Sequence, residues 1–207
     1  MSGKFITFEG PEGSGKSSLV QRVFDHFTAR GMRVMMTREP GGIRISEKIR
    51  DILLDNTLTE MDPRTEALLF AAARRQHLFE KIIPALQAGT LILCDRFIDS
   101  SLAYQGVGRG LGIDEVYAIN RFAIGEFLPD LTVFVNVRPE VGLARVFTNH
   151  RSKIDRLDLE TQDFHRRLYD GYLELLKRFP DRIKSINGER PLDEVARDAI
   201  VLIERHL

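Results

Sequence analysis

Short apolar runs alternate along the chain with longer stretches in which apolar residues recur every three or four positions. The short runs, at residues 5–8, 34–37, 90–94 and 131–137, read as strands, and 182–186 reads as a weaker fifth. Helical spacing covers residues 17–30, 45–54, 113–126, 139–147, 160–178 and 191–206. Gly31 stands where the first helix must stop, as a glycine that accepts a left-handed backbone. Asp62 followed by Pro63 marks an N-cap and first helical residue, and opens a long helix to about residue 88. Pro84 is expected to kink or shorten its last turn.

Strands separated by helices require crossover connections, and these build a mainly parallel sheet covered on both faces. The first, third and fourth runs are apolar throughout, as doubly covered strands should be. The expected fold class is therefore α/β: a three-layer, five-stranded parallel sheet with helices on both sides. The 207 residues contain no repeat, no low-complexity stretch and no Pro/Gly/Ser linker, so one domain spanning 1–207 is expected. In such sheets ligands bind outside the carboxyl ends of the strands, and candidate chemistry is sought there.

Charge narrows the partners. Thirty basic residues balance thirty acidic ones, which argues against coating an extended polyanion or an acidic membrane. The basic set is 23 Arg to 7 Lys, and arginine is the bidentate partner of phosphate and carboxylate. The single cysteine, Cys94, lies within an apolar run and reads as a small core residue; it allows no intrachain disulfide. No 18-residue apolar run or secretory leader is apparent, so a cytoplasmic setting without membrane or nucleic-acid partners is expected.

The sharpest local signal follows the first strand. Gly10-Pro11-Glu12-Gly13-Ser14-Gly15-Lys16-Ser17 fits G-x-x-x-x-G-K-[ST] between a strand and a helix. Its glycines allow several backbone N–H groups to converge on phosphate oxygens, and the helix N-terminus adds partial positive charge. Lys16 supplies a cation for the β- and γ-phosphates, and Ser17 can ligate a magnesium ion. The motif specifies a nucleoside triphosphate and leaves the second substrate open.

Three classes share this loop. A GTPase switch needs Asp-x-x-Gly and Asn-Lys-x-Asp, and neither occurs. A mechanical ATPase usually carries an apolar strand ending in two acidic residues. Here the third strand ends Cys94-Asp95-Arg96-Phe97. Asp95 can reach magnesium through water or hold Lys16, and Arg96 can bind a phosphate at the sheet edge. A small-molecule kinase fits best.

Thr37-Arg38-Glu39-Pro40-Gly41-Gly42 follows the second strand and faces the same crevice, with Arg50 on the next helix. Phe70 and Arg74 are four apart and share a helix face. A ring there can stack on a base while the guanidinium donates to a base carbonyl, although core packing alone would also explain Phe70. Ser100, Ser101, Tyr104 and Gln105 form a polar stretch that could read a base edge or be a solvated turn.

These motifs, together with Leu69-Phe70-Ala71-Ala72-Ala73-Arg74, Ser100-Ser101-Leu102-Ala103-Tyr104-Gln105-Gly106 and Pro129-Asp130-Leu131-Thr132, resemble the bacterial thymidylate kinase family over essentially the whole chain. The resemblance implies ATP as donor, Mg2+ as cofactor, dTMP as acceptor and a homodimer. It implies an ATP site of Gly10, Pro11, Glu12, Gly13, Ser14, Gly15, Lys16, Ser17 and Ser18, with adenine near Arg145 and Asn187. For dTMP it implies Arg38, Arg50 and Arg96 on the 5′-phosphate, and it also counts Glu39, Pro40 and Ser100 among the dTMP-binding residues. Phe70 would stack on thymine, Arg74 would donate to its 4-carbonyl, and Ser101 and Gln105 would read the edge near N3. Tyr104 would pack on the sugar and Glu12 would approach its 3′-hydroxyl. Ser17 and Asp95 would serve the metal.

The resemblance also implies an arginine at the transferring phosphoryl group. Some members carry it in the phosphate loop, where this chain has Gly13. A lid at about 148–159 is expected to supply it from Arg151 or Arg156, completing a catalytic set with Lys16, Asp95 and Arg96. Two other readings fit the loop: a kinase for another deoxynucleoside or its monophosphate, and a nucleotide-dependent regulator without turnover. The five histidines show no metal-ligand spacing.

Overall fold

The computed structural model describes residues 3–148, 156–157 and 160–207. Its elements run in chain order as β1 (Lys4–Glu9), α1 (Lys16–Ala29), β2 (Val34–Arg38), α2 (Arg44–Leu53), α3 (Pro63–His77), a π-helical turn (Leu78–Ile82), α4 (Ile83–Gln87) and β3 (Leu91–Asp95). There follow α5 (Ile98–Ser101), a π-helical segment (Leu102–Gly108), α6 (Ile113–Ile124), β4 (Leu131–Asn136), α7 (Pro139–Thr148), α8 (Gln162–Arg178), β5 (Ile183–Asn187) and α9 (Leu192–Glu204).

The strands form one sheet in the order β2-β3-β1-β4-β5, and every pairing is parallel. Strand alternation divides the core in two. Phe5, Ile92, Cys94 and Phe134 face the layer that holds α3, α6 and α8. Ile6, Phe8, Leu91, Leu93, Val133 and Val135 face α1 and α9. On the first face Thr7 and Thr132 share a buried hydrogen bond of 2.8 Å, so two polar side chains in the core satisfy each other.

Local signals act as expected at the long helix. Asp62 caps α3 by accepting from the N–H groups of Arg64 and Thr65 at 2.9 and 3.0 Å. Pro84 leaves the helical path continuous to Gln87, with the preceding turn widened so that Ile83 N–H reaches the Leu78 carbonyl. A proline without an N–H and with a bulky ring is accommodated by that wider turn. Residues 98–108 differ from the solvated turn that their polarity allowed. They form a helical segment in which Ser101, Tyr104 and Gln105 are buried. Their polar groups are paired inside the protein, which sequence polarity alone does not reveal.

Sheet register gathers the chemistry. Arg38 and Phe8 both stand opposite Asp95, and Glu9 stands opposite Phe134. The carboxyl ends of β1, β2 and β3 therefore deliver the phosphate loop, Arg38-Glu39 and Asp95-Arg96 to one edge.

Candidate active site

A cleft of ≈ 400 Å³ opens at that edge. One end is lined by Gly13, Ser14, Gly15, Lys16, Ser17 and Ser18, with Arg145 above them, and the other by Arg38, Arg50, Phe70, Arg74, Tyr104 and Gln105. Asp95 and Arg96 lie between. The strand ends thus place a nucleotide-phosphate cradle and an aromatic, arginine-rich pocket in one continuous space.

The loop is shaped by backbone that only glycine adopts freely. Gly13 and Gly15 have φ of 69° and 84°. A Cβ at position 13 would meet the Gly142 carbonyl of α7 at 2.0 Å. This packing excludes an arginine at Gly13 without moving α7, so a positive charge for the transferring group must come from elsewhere.

Lys16 is buried and donates to the Gly10 and Pro11 carbonyls, both at 2.9 Å, and to Ser14 Oγ at 3.1 Å. Burial, aided by the neighbouring Arg96 charge, pushes its pKa down to about 8 against the pull of Glu12, Asp95 and Glu9. Ser17 Oγ donates to Asp95 Oδ2 at 2.6 Å, and Asp95 Oδ1 is buried without a hydrogen-bond partner. An orphaned carboxylate oxygen beside a hydroxyl suits a hard cation. Among the described residues no cluster of three or more His, Cys, Asp or Glu could cage a metal. The donors present therefore fit magnesium, which keeps waters and substrate phosphates as its main ligands.

Arg96 is the described non-glycine residue with a left-handed backbone, at φ 69°. Such a conformation costs about 1–3 kcal/mol and persists where its surroundings over-determine it. Here its N–H donates to the Phe8 carbonyl at 3.0 Å. Its guanidinium contacts Glu12, donates to Gly10 O at 3.2 Å and Ser100 Oγ at 3.1 Å, and lies 5.1 Å from the Tyr104 ring centroid. Tyr104 donates to the same Glu12 oxygen at 2.9 Å. Glu12 thus fixes both the cation and the ring that face the cleft.

Glu9 supports this group from behind, and sequence reasoning missed it. It is buried and accepts from the N–H groups of Phe97 and Ser100 at 2.7 and 3.1 Å, from Ser100 Oγ at 2.5 Å and from Tyr172 Oη at 3.1 Å. Burial, with the negative charge of Asp99, raises its pKa to about 7. A carboxylate ending an apolar strand was the available signal, the same one that singled out Asp95. Ser100 spends its hydroxyl proton on Glu9.

At the other end Phe70 is 9% exposed and lines the cleft, so its ring is both core and wall. Arg74 is buried and donates to Glu39 Oε2 at 2.8 Å, Ser101 Oγ at 3.0 Å and Phe97 O at 2.9 Å, and also to Asn120. Those bonds use four of the roughly five N–H groups a guanidinium carries, and leave one on Nη2. Glu39 is therefore turned to Arg74 and His77, which sits 2.9 Å from it, as a support for the arginine. His77, Asn120 and Glu66 were likewise not singled out, because each acts through a partner distant in sequence.

Arg38 makes a two-pronged pair with Glu47 at 2.8 and 3.2 Å, and Arg50 donates to the Pro40 carbonyl at 2.8 Å. Arg145 reaches the Gly188 and Glu189 carbonyls at 3.0 and 3.3 Å. Asn187 is exposed, accepts from Glu189 N–H at 3.0 Å, and is not among the cleft-lining residues. Arg151 lies outside the described residues, as does most of the expected lid. Arg156 is described, and its guanidinium is on Glu66 at 2.5 Å and on the Leu53 carbonyl at 3.2 Å rather than at the phosphate loop.

A phosphate loop entering a helix, a carboxylate from the adjacent strand and a second pocket with its own arginines define a P-loop nucleotide kinase. Comparison with known proteins narrows the class. The thymidylate kinase family profile matches residues 8–199. A thymidylate kinase of Oceanobacillus iheyensis is 55% identical over 207 residues, covering 100% of this chain and 92% of that protein. One from Bacillus cytotoxicus is 55% identical over 207 residues, covering 100% of both. A crystal structure of thymidylate kinase from Ehrlichia chaffeensis superposes with a TM-score of 0.79 at 29% identity, covering 99% of each chain. The chain belongs to the thymidylate kinase family.

Proposed function

We propose how this chain carries out its family's reaction, the ATP-dependent phosphorylation of dTMP to dTDP. The observation that carries the reading is the continuity of the cleft, which joins a phosphate loop to the pocket of Phe70, Arg74 and Gln105 with Arg96 between them. ATP lies along residues 10–18, its phosphates on the loop N–H groups and its adenine beside Arg145. Lys16 turns from the loop carbonyls to the β- and γ-phosphates. Phe70 stacks on thymine, the remaining Arg74 N–H donates to its 4-carbonyl, and Tyr104 packs on the sugar. Arg38, Arg50 and Arg96 hold the 5′-phosphate.

The acceptor is itself a phosphate, with a second pKa of about 6, so the reaction needs no strong base. Rate comes from in-line placement and neutralised charge. Ser17 and Asp95 would hold Mg2+, which supplies charge neutralisation at the donor phosphates. With Gly13 in the loop and Arg156 engaged on Glu66, we assign the arginine at the transferring phosphoryl group to Arg151.

The chain acts as a cytoplasmic homodimer. Leu68 on α3, Phe79 on the following turn and Phe122 on α6 are 56, 62 and 94% exposed, an apolar face a second copy can cover. No helix among the described residues is long and apolar enough to cross a membrane.

The test is a coupled assay across nucleoside monophosphates and thymidine. Product formation greatest with dTMP is expected. Equal use of dUMP would mean that the pocket does not select for the methyl group of thymine. Preference for thymidine would make the acceptor a nucleoside. ATP hydrolysis indifferent to every acceptor would favour a regulator.

A further inference from the structure

We infer that Glu66 is a positioning residue that sets base selectivity by fixing which end of the Gln105 amide faces the acceptor base. This rests on the base pocket proposed above. Glu66 sits on the first turns of α3, one helical turn before Phe70 and outside the cleft wall, and its side chain is 1% exposed. Its Oε1 accepts from Gln105 Nε2 at 2.8 Å. Arg109 donates to it from Nε and Nη2 at 3.3 and 3.1 Å, and Arg156 from Nη2 at 2.5 Å.

An amide side chain has two ends of similar shape and opposite hydrogen-bonding sense. What chooses between them is the partner. An ionised carboxylate only accepts, so it draws the amide nitrogen. Burial by itself would raise the Glu66 pKa, but hydrogen bonds from Arg109, Gln105 and Arg156, with the Arg109 charge, hold it below the ordinary carboxylate value. Glu66 therefore remains an acceptor across the working range of the enzyme.

With its nitrogen committed to Glu66, Gln105 has its carbonyl oxygen left for the cleft that it lines. A carbonyl there accepts the N3–H of thymine. Cytosine has no hydrogen at N3 and presents a lone pair, which a carbonyl oxygen repels. Arg74 reads the same distinction at position 4, where its N–H suits a carbonyl and not an amino group. Discrimination of this kind is large because a mismatched base leaves buried polar groups unpaired.

The test is the ratio of kcat/KM for dTMP to that for dCMP. Glu66→Gln keeps the shape of residue 66 and lets the two amides pair in either sense. The ratio is expected to fall by about 10-fold or more, with dTMP KM rising more than kcat falls. In a Gln105→Met background, which itself lowers the ratio, Glu66→Gln should change it less than about 2-fold, as expected of residues acting through one contact. A purely structural role would lower both substrates in proportion and leave the ratio intact. That result overturns the inference, as does an unchanged ratio in Gln105→Met or additive effects in the double variant. If Glu66→Gln does not fold, Glu66→Asp keeps the charge for Arg109 and Arg156 but withdraws it from Gln105 by one methylene. The same fall in ratio is expected there, and an intact ratio again overturns the inference. Phe70→Ala separates the two failures. If it leaves dTMP KM unchanged, the base pocket itself is misplaced; if it raises KM while the Glu66 variants keep the ratio, only the role of Glu66 falls.

Discussion

Glu39 pairs with Arg74 at 2.8 Å, with both side chains 2% exposed. An arginine of the cleft wall is thus held in place by a buried carboxylate. Two charges so far from water are tolerated because each is matched: Arg74 also binds Ser101, Asn120 and Phe97, and Glu39 also meets His77. The sequence expectation placed Glu39 in the dTMP site. The structure keeps it in the cleft wall and pairs its carboxylate with Arg74 and His77.

Removing that carboxylate should be costly. Glu39→Ala leaves a buried guanidinium uncompensated, and a loss of about 3–5 kcal/mol in unfolding free energy is expected. Urea unfolding measures it. A loss below about 1 kcal/mol would mean that Arg74 finds water or another partner.

Phe70→Ala removes a stacking surface of the kind worth about 1–3 kcal/mol per base. Steady-state kinetics should show dTMP KM raised by about 10-fold or more with ATP KM little changed. If both constants rise alike, the ring is acting as core packing.

Arg96→Lys preserves charge but loses the planar fork that meets Glu12, Gly10 and Ser100 together. Loss of one such preorganised donor from a transfer site typically costs 10²–10³-fold in rate, and a fall of about that size in kcat is expected. Single-turnover rates at saturating substrates test it; an unchanged chemical step would assign Arg96 to structure alone.

Buried Glu9 predicts a pH dependence of stability. Its pKa moves from the ordinary 4.5 to about 7 on folding, driven first by burial and then by Asp99. The folded protein keeps a proton that the unfolded chain has released, so this contribution is full below about 4.5 and is lost as pH rises to about 7. Thermal melting of wild type and Glu9→Gln over that range isolates the effect. The wild type should lose stability relative to the variant as pH rises, and then run parallel above pH 7. Parallel curves throughout would sink the assignment.

Phe122 is 94% exposed on α6, and the neighbouring Arg75 of α3 donates to the Ala123 carbonyl at 3.5 Å and lies over Phe79. Phe122→Asp puts a charge on this face. Light scattering should show a dimer for wild type and a monomer for the variant. A monomeric wild type removes the proposed assembly.

Much of the fold is legible in the chain itself. Strands at 5–8, 90–94 and 131–137 are apolar because both faces are covered, and they were placed within a residue or two. The Asp62 cap and the Gly31 stop work within a few residues of backbone, so their signals survive without context. The segment 98–108 failed that test. Ser100, Ser101 and Gln105 read equally as base-edge readers or a solvated turn, yet pair with Glu9, Arg74 and Glu66, at 91, 27 and 39 positions' remove. A periodicity reading sees polarity and cannot see partners.

The same division runs through the site. The phosphate loop is a run of neighbouring residues whose glycines and first helical turn shape it locally, so sequence alone determined the loop's place between strand and helix, the order of the strands and main helices, and the resemblance to a family. It could not say which of 23 arginines serve phosphate and which serve structure. Tertiary structure decided that Arg74 is oriented by Glu39, that Arg156 is drawn to Glu66, and that close approach of α7 reserves position 13 for glycine. The reason is desolvation. A buried charge must be paired to be tolerated, and the residues that pair it come together only when distant strands and helices close over the same edge.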